Sequence, residues 1–498
     1  MRRNIALILG ISLSVLIAIS TSVILYVSLK PKNILVEHEA IFIWGDEDFM
    51  NYDFKGKGTQ KKPFLIQNLN ITTKSKNGIF IRNTTLFFTI QNCILNADVS
   101  GIHISNVASG TVKILDNICI NNFFGIEIVN SDSVSIMNNI CSNNTRDQYR
   151  ASIAGISVLN SNSVSIINNT CNNNGHQRDG IAGIFIHNSK NVIIKDNFCN
   201  SNTFDGIHLV NADSVVVSNN TCIKNTLCGI ASYNSQDSII RNNNCSYNKD
   251  NRLEFVNHGI LIVDSANSTV TDNICTYNED YGIYLLLSLN STIEDNVCDN
   301  NKKYGISIQK SNNFQILENS CNENKVSIYL EEAINGKIIE NNCSSSLNKG
   351  IELLESSNYT IQGNIIIKNE IGVSLNNTDF CKISYNQIRE NDEYGIKLLN
   401  GSDNNTIHHN SFIDNNLGGT SQAYDSGSNN KWYDETLLEG NFWTDLVAEN
   451  YSIDGLANSY DLYPLAENPL DNSVQVELKL FLREIQVFNF HKKVVRKL

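Results

Sequence analysis

Three sets of side chains in this sequence could do chemistry: a recurrent cysteine, a scatter of histidines beside carboxylates, and arginines with aromatics in three irregular segments. The chain has 498 residues, with 13 Cys and 9 His. Its cysteine sits in a phrase, Asn-x-Cys-x-x-Asn, that begins at Asn117 and again at Asn139. A thiol held in such a phrase serves as a metal ligand, half of a disulfide, or packing. Zinc-type thiolate sites use close pairs such as Cys-x-x-Cys, and this chain contains none. For acid/base work the candidates are Asp179, Asp205 and His208, because carboxylates paired with His can move protons. Arg146, Tyr149, Arg150, His176, Arg178, His187, Tyr233 and His258 are the expected ligand contacts. No resident cofactor is expected. His187 and His208 are the pair that would take a metal. His408 and His409 are adjacent, so on a strand their side chains are expected to diverge.

The elements that position these groups follow from a repeat, which outranks length in deciding architecture. A Gly-Ile/Val step recurs at Gly78, Gly101, Gly125, Gly155, Gly183, Gly206, Gly229, Gly259, Gly282, Gly305, Gly350, Gly372 and Gly395, and Ser327 fills the one gap. Each copy holds an alternating run such as "GIFIHN", a second run such as "SVSII", and a short piece with the cysteine phrase. Alternation with period two reads as half-buried strand, and the intervening Gly and Asn tolerate left-handed turns. Three short strands per repeat with no helical period leave a solenoid whose repeat is one coil of a parallel β-helix. We therefore expect an all-β, right-handed parallel β-helix of about 14 coils with end caps. Expected boundaries are an N-terminal cap at 33–76, coils at 77–416, a C-terminal cap at 417–470, and a strand-like basic tail at 471–498. All three Trp are expected outside the coils.

In such a stack, equivalent residues lie roughly 4.8 Å apart. Cys93, Cys119, Cys141, Cys171, Cys199, Cys222, Cys245, Cys275, Cys298, Cys321 and Cys343 take one equivalent position, followed by Ile366, Ile388 and Phe412. A position that accepts Ile and Phe is apolar, and free Cys behaves as a small hydrophobe. Packing is therefore the expected role. Cys228, off the column, is also expected to pack, and is the first candidate for an exposed thiol. Three residues after the column Asn recurs from Asn96 to Asn415, with Ser346 the exception, and two residues before it from Asn117 to Asn410. Stacked amides can donate to one coil and accept from another, forming ladders.

Insertions at 145–154, 175–182 and 249–258 fall in the turn after the cysteine. On a solenoid, insertions at one corner often line the binding face. The strand that follows has outward His103, Glu127, Phe185, His187, His208, Tyr233, Tyr284 and Tyr329. Aromatics with carboxylates and His on a flat sheet suit a sugar chain.

The formal net charge of −13 argues against nucleic acid as a partner. No basic patch is expected in the body, and basic residues gather in "HKKVVRKL" after Phe490. Residues 5–29 carry no charge, long enough for a transmembrane anchor rather than a cleaved signal peptide. Arg2 and Arg3 favour a cytoplasmic N-terminus, which puts the body outside.

The entry "IFIWGDEDFMNYDFKGKGTQKKPFLIQNLNI", coils such as "NSDSVSIMNN", and the exit "EGNFWTDL…YDLYPL" resemble NosD-type periplasmic copper-binding and pectin-lyase-like β-helix proteins over roughly residues 40–465. That resemblance implies a right-handed parallel β-helix outside the cytoplasmic membrane. Polygalacturonase-like members carry Asp-Asp with His-Gly and Arg-x-Lys. No Asp-Asp occurs here, and His258-Gly259 is an ordinary coil start. The calcium carboxylates and Arg of pectate-lyase-like members are also missing. The expected function is non-catalytic binding of polysaccharide or a surface glycoprotein by a membrane-anchored body. The alternatives are a polysaccharide lyase, glycoside hydrolase or epimerase, and a copper-handling accessory protein.

Overall fold

The computed structural model describes residues 34–74, 76–145, 153–175, 180–249, 257–399 and 401–470. The segment expected to span a membrane and the basic tail lie outside them. The chain forms two compact units. The first comprises 1–36 and 470–498, and few of its residues are described. The second, residues 37–469, is a right-handed parallel β-solenoid.

Each coil contributes one strand to a 16-stranded sheet and one to a 15-stranded sheet, always beside the preceding coil's strand. A third side closes the coil through single parallel bridges, such as Ile140↔Thr170 and Thr170↔Phe198, with short four-stranded sheets at each end. The register is continuous but for one shift between Ile153 and Ala154. Ile102, Ile126, Ile156, Ile184, Ile207, Ile230 and Ile260 lie in line on the inner face of the first sheet, all without solvent exposure. The expected caps also carry coil strands. Ile41–Ile43 and Phe64–Gln67 open the two sheets, and Ala423–Asp425 ends the first.

The cysteine column is an interior seam, as its residue types imply, but its first member is corrected. Cys119 pairs with Leu95, and Leu95 with Ile71. Cys93 instead takes the place of the amide that precedes the seam, its N–H donating to Asn117 Oδ1 at 3.0 Å. The seam thus runs Ile71, Leu95, the cysteines from Cys119 to Cys343, Ile366, Ile388, Phe412 and Trp443. Trp443 is therefore inside the stack, not beyond it. Tyr451 stacks on it at 3.9 Å. Every cysteine of the chain is buried and unpaired. Burial pushes the thiols of Cys141, Cys199, Cys245 and Cys298 well above the ordinary range, which keeps them protonated.

Two amide ladders flank this seam. In the first, Asn117 donates both its backbone N–H and its Nδ2 to Asn139 Oδ1, at 2.9 and 3.0 Å. Asn139 does the same to Asn169, and the pattern continues to Asn441. The second runs from Asn122 through Asn144 and Asn174 to Asn415 and ends on Gln422. Asn96 is not part of it; the Ala97 N–H meets Asn122 Oδ1. Most carboxamide oxygens thus accept two donors from the coil before. Asn117 and Asn122 at the ladder starts, and Asn324 and Asn369 around Ser346, accept one backbone N–H each. No ladder amide is left buried without a partner. Asn has a second duty at left-handed corners such as Asn68, Asn130 and Asn219, where it is better tolerated than most side chains.

One coil shows how tight the ladder is. A Cβ at Gly305 would lie 2.8 Å from Asn324 Nδ2 and 2.6 Å from the Ser327 carbonyl. Ser327 nevertheless has a side chain at that position, because its ladder partner is Ser346 rather than Asn. The two hydroxyls bond at 2.7 Å. Ser346→Asn alone should crowd Ser327 Oγ and destabilise by about 2 kcal/mol. Adding Ser327→Gly should recover the loss, read as the urea midpoint; additive effects would contradict the coupling. A further test lies outside the seam, where Asn172, Asn200 and Asn322 accept a backbone N–H from the next coil. Asp299 does the same to Asn322 at 2.6 Å. Burial pushes its carboxyl up to about 6, so it favours folding fully only below the carboxyl's unfolded pKa. That contribution is lost as pH rises through about 6. The melting temperature should fall between pH 4 and 8, and Asp299→Asn should flatten that fall; parallel curves would refute this.

Candidate functional site

The outer face of the first sheet gathers the candidate groups. Phe185 and His208 are register neighbours in one outward row. His187 and Tyr233 lie in the next row, separated by Val210. Phe185 packs against His187 with centroids 6.0 Å apart and against His208 at 5.7 Å, and His208 against Tyr233 at 5.2 Å. All four rings are partly exposed.

Asp205 sits beneath them. Residues three apart on a flat strand point to opposite faces, yet Asp205 Oδ2 lies 2.6 Å from His208 Nδ1. The corner at Gly206 brings the two together. The same contact across a corner glycine recurs at Tyr281–Tyr284 and Lys349–Glu352. Asp205 is 3 % exposed, and its other oxygen accepts the Cys228 N–H at 2.8 Å. A buried carboxylate fixed by backbone thus orients one imidazole nitrogen. Burial raises the Tyr233 hydroxyl above its ordinary value, and the charges of Asp205 and Cys228 add to this. Cys228 packs, as expected, rather than lying exposed; it is 2 % exposed, in a small outer apolar cluster with Ala231 and Leu261. Burial, then the neighbouring Asp205, pushes its thiol up.

Further along, the aromatic face changes character. His258, Tyr281, Tyr304 and Tyr329 stack ring on ring at 4.6, 4.8 and 4.5 Å, nearly parallel. His258 has no solvent exposure, and neither ring nitrogen has a hydrogen-bond partner. Burial lowers its pKa to about 3, so it is neutral. These rings spend their faces largely on one another, though Tyr281 and Tyr304 stay partly exposed. Of the expected platform, the stretch from Phe185 to Tyr233 keeps part of its ring surface open, as do His103 and Tyr284. Asp280 and Lys303, which no motif singled out, form a 2.6 Å ion pair beside the stack, and Asp280 also accepts the Asn257 N–H.

Arg146, Tyr149, Arg150, His176, Arg178 and Asp179 lie outside the described residues. His408 and His409 do not diverge as expected. His409 has φ of 56°, which breaks the alternation, and the two Nδ1 atoms meet at 2.6 Å. His409 Nε2 also pairs with Glu439 at 2.7 Å. Among the described residues no group of three His, Cys, Asp or Glu could hold a metal ion. His187 and His208 offer no third ligand, and the seam thiols are buried. The described residues thus fit neither copper nor calcium.

Two family models match the chain. One, described as a right-handed β-helix region, matches residues 149–288 and 182–344. The other, described as periplasmic copper-binding protein (NosD), matches residues 288–448, beyond the aromatic patch. No curated protein matches in sequence. Among solved structures, the A-module of the Azotobacter vinelandii mannuronan C-5 epimerase AlgE6 is similar at 12 % identity and a TM-score of 0.38, covering 78 % of this chain and 98 % of that one. The periplasmic alginate epimerase AlgG is similar at 14 % identity and 0.33, covering 79 % and 84 %. The catalytic domain of a GH87 α-1,3-glucanase is similar at 12 % and 0.34, covering 69 % and 61 %. Values this low carry no inference about activity. The matching repeat model and the coil geometry agree on a right-handed parallel β-helix fold.

Proposed function

We propose that this is a membrane-anchored, extracytoplasmic β-helix that binds a carbohydrate chain without catalysis, across Phe185, His187, His208 and Tyr233. The observation that carries this reading is the open four-ring patch with His208 fixed by buried Asp205. Aromatic rings present apolar faces to sugar rings, while the Tyr233 hydroxyl and His208 Nε2 supply polar contacts. The uncharged run at 5–29 supports the anchor, and a match to a family described as periplasmic supports the location. Tyr233→Ala and His208→Ala should each weaken binding on a glycan array about tenfold or more, since a lost ring or charge-assisted contact is worth over 1 kcal/mol. His258→Phe, within the closed stack, should leave binding unchanged. Equal loss from all three would place the site elsewhere.

One contact favours a second reading. Asp205 orients His208 as a carboxylate orients a general base. Among the described residues the next buried carboxylate along this corner, Asp280, is three coils on, roughly 14 Å at one strand spacing per coil. Glycosidase carboxyl pairs work at about 5–9.5 Å. The arrangement therefore suits proton abstraction by one base, as in a lyase or epimerase, better than hydrolysis. Release of unsaturated or inverted products from acidic polysaccharides, abolished by His208→Ala, would establish it. No product from any of them would leave binding alone.

A further inference from the structure

The charges of this rod are unevenly placed: its first end opens with six acids, Glu37, Glu39, Asp46, Glu47, Asp48 and Asp53, and then carries a run of cations. From residue 54 to 97 every charged side chain is a cation: Lys55, Lys57, Lys61, Lys62, Lys74, Lys76 and Arg82. From 432 to 470 every one is an anion, from Asp434 to Glu467. The chain as a whole has 38 Lys and Arg against 51 Asp and Glu, so the first segment runs against the whole. The expectation of no basic patch in the body is corrected accordingly.

The cations occupy the outermost coil. Phe49, fully buried, stacks on Phe64 at 5.0 Å and lies 5.6 Å from Phe88, which plugs the core at this end. The chain then turns back on itself through Lys55–Leu65 and Thr59–Lys62 bridges. The six lysines are exposed. Among the described residues none of them has an ion-pair partner. Several acids of this end are engaged internally: Glu37 accepts Asn70 Nδ2, Asp46 accepts Thr84 and Thr85, and Asp48 accepts the Trp44 N–H. Glu39, Glu47 and Asp53 remain as local counter-charges. On the same first coil, large apolar side chains face water. Trp44 is 53 % exposed and Met50 73 %. Trp44 packs on Phe80 at 5.0 Å, with the Arg82 guanidinium 4.6 Å from its ring centre.

We propose that this basic, Trp-bearing end of the solenoid is a docking surface for an anionic lipid bilayer, on which the rod stands by its first coil. Exposed Lys and Arg draw a surface to anionic headgroups, and Trp with neighbouring cations settles at the bilayer–water interface. The acidic far end is repelled by the same surface, which orients the molecule. A soluble polyanion would satisfy the lysines but leave Trp44 and Met50 uncovered, so the bilayer is the occupant that uses both. The inference goes beyond the anchor proposed above, and it can fail separately.

The test uses the full chain with vesicles of phosphatidylcholine alone or mixed with phosphatidylglycerol, both carrying brominated acyl chains that quench nearby tryptophan. Trp432 and Trp443 are 0 and 2 % exposed, so quenching reports Trp44. Expected is strong quenching on the mixed vesicles, at least threefold less on phosphatidylcholine, and loss at about 1 M salt, where screening shortens to ~3 Å. The variant Lys55→Gln/Lys57→Gln/Lys61→Gln/Lys62→Gln should show the same loss with an unchanged circular dichroism spectrum. Equal quenching on both vesicles, quenching on neither, or a Trp44 response to soluble polygalacturonate but not to lipid would each overturn the inference. Flotation with phosphatidylcholine alone reads the anchor. A chain that floats without Trp44 quenching keeps the anchor and loses this surface. A chain that floats only with the anionic vesicles keeps this surface and loses the anchor.

Discussion

The structure depends on one constraint: every coil must set its hydrogen-bonding groups in line with those of its neighbours. Inside the turns there is no water to correct a mismatch, and an unpaired buried amide costs more than a made bond returns. The Asn ladders meet that constraint by having most carboxamide oxygens accept two N–H groups from the coil before. The glycines follow from it, because the ladder amide lies where their Cβ would be. So does the paired exception of Ser327 and Ser346. The thiol seam fills the narrow space between ladders with a side chain that is small, apolar and closed to solvent.

That constraint also decides what was legible in the sequence. Interior positions repeat because each is tested against two neighbours, so the coil, its two main strands, the seam and both ladders could be read from spacing alone. The reading slipped only where the phrase itself shifted. At Cys93 the Asn-x-Cys pattern is displaced by two residues, and the apolar Leu95 shows the true register through its match with Ile71 and Cys119. Trp443 was missed because the residues between it and Phe412 do not follow the repeat, although they return to it.

The outer face is under no such test, and there spacing was a poorer guide. Alternation placed Phe185, His208, Tyr233, Tyr284 and Tyr329 outward, but it could not say whose ring faces stay free. Tyr281, Tyr304 and Tyr329 stack closely and nearly parallel, while the rings from Phe185 to Tyr233 meet at wider spacings of 5.2 to 6.0 Å. Strand periodicity also argued against an Asp205–His208 contact, which exists because the corner glycine turns the strand. Left-handed backbone at His409 likewise joined two histidines that simple alternation would separate. The candidate site is therefore a product of corners, which follow the turn geometry rather than the repeat.

A solenoid built this way divides its labour. The interior carries stability, the outer face carries the candidate site, and the ends carry the caps. The most direct test of the central claim is thiol labelling of the native protein with a small alkylating agent, read by mass. The account predicts that all 13 cysteines stay unmodified until the chain is unfolded, and then react together. Prompt native labelling of seam residues such as Cys222 or Cys275 would contradict the buried stack, and with it the register on which the rest is built.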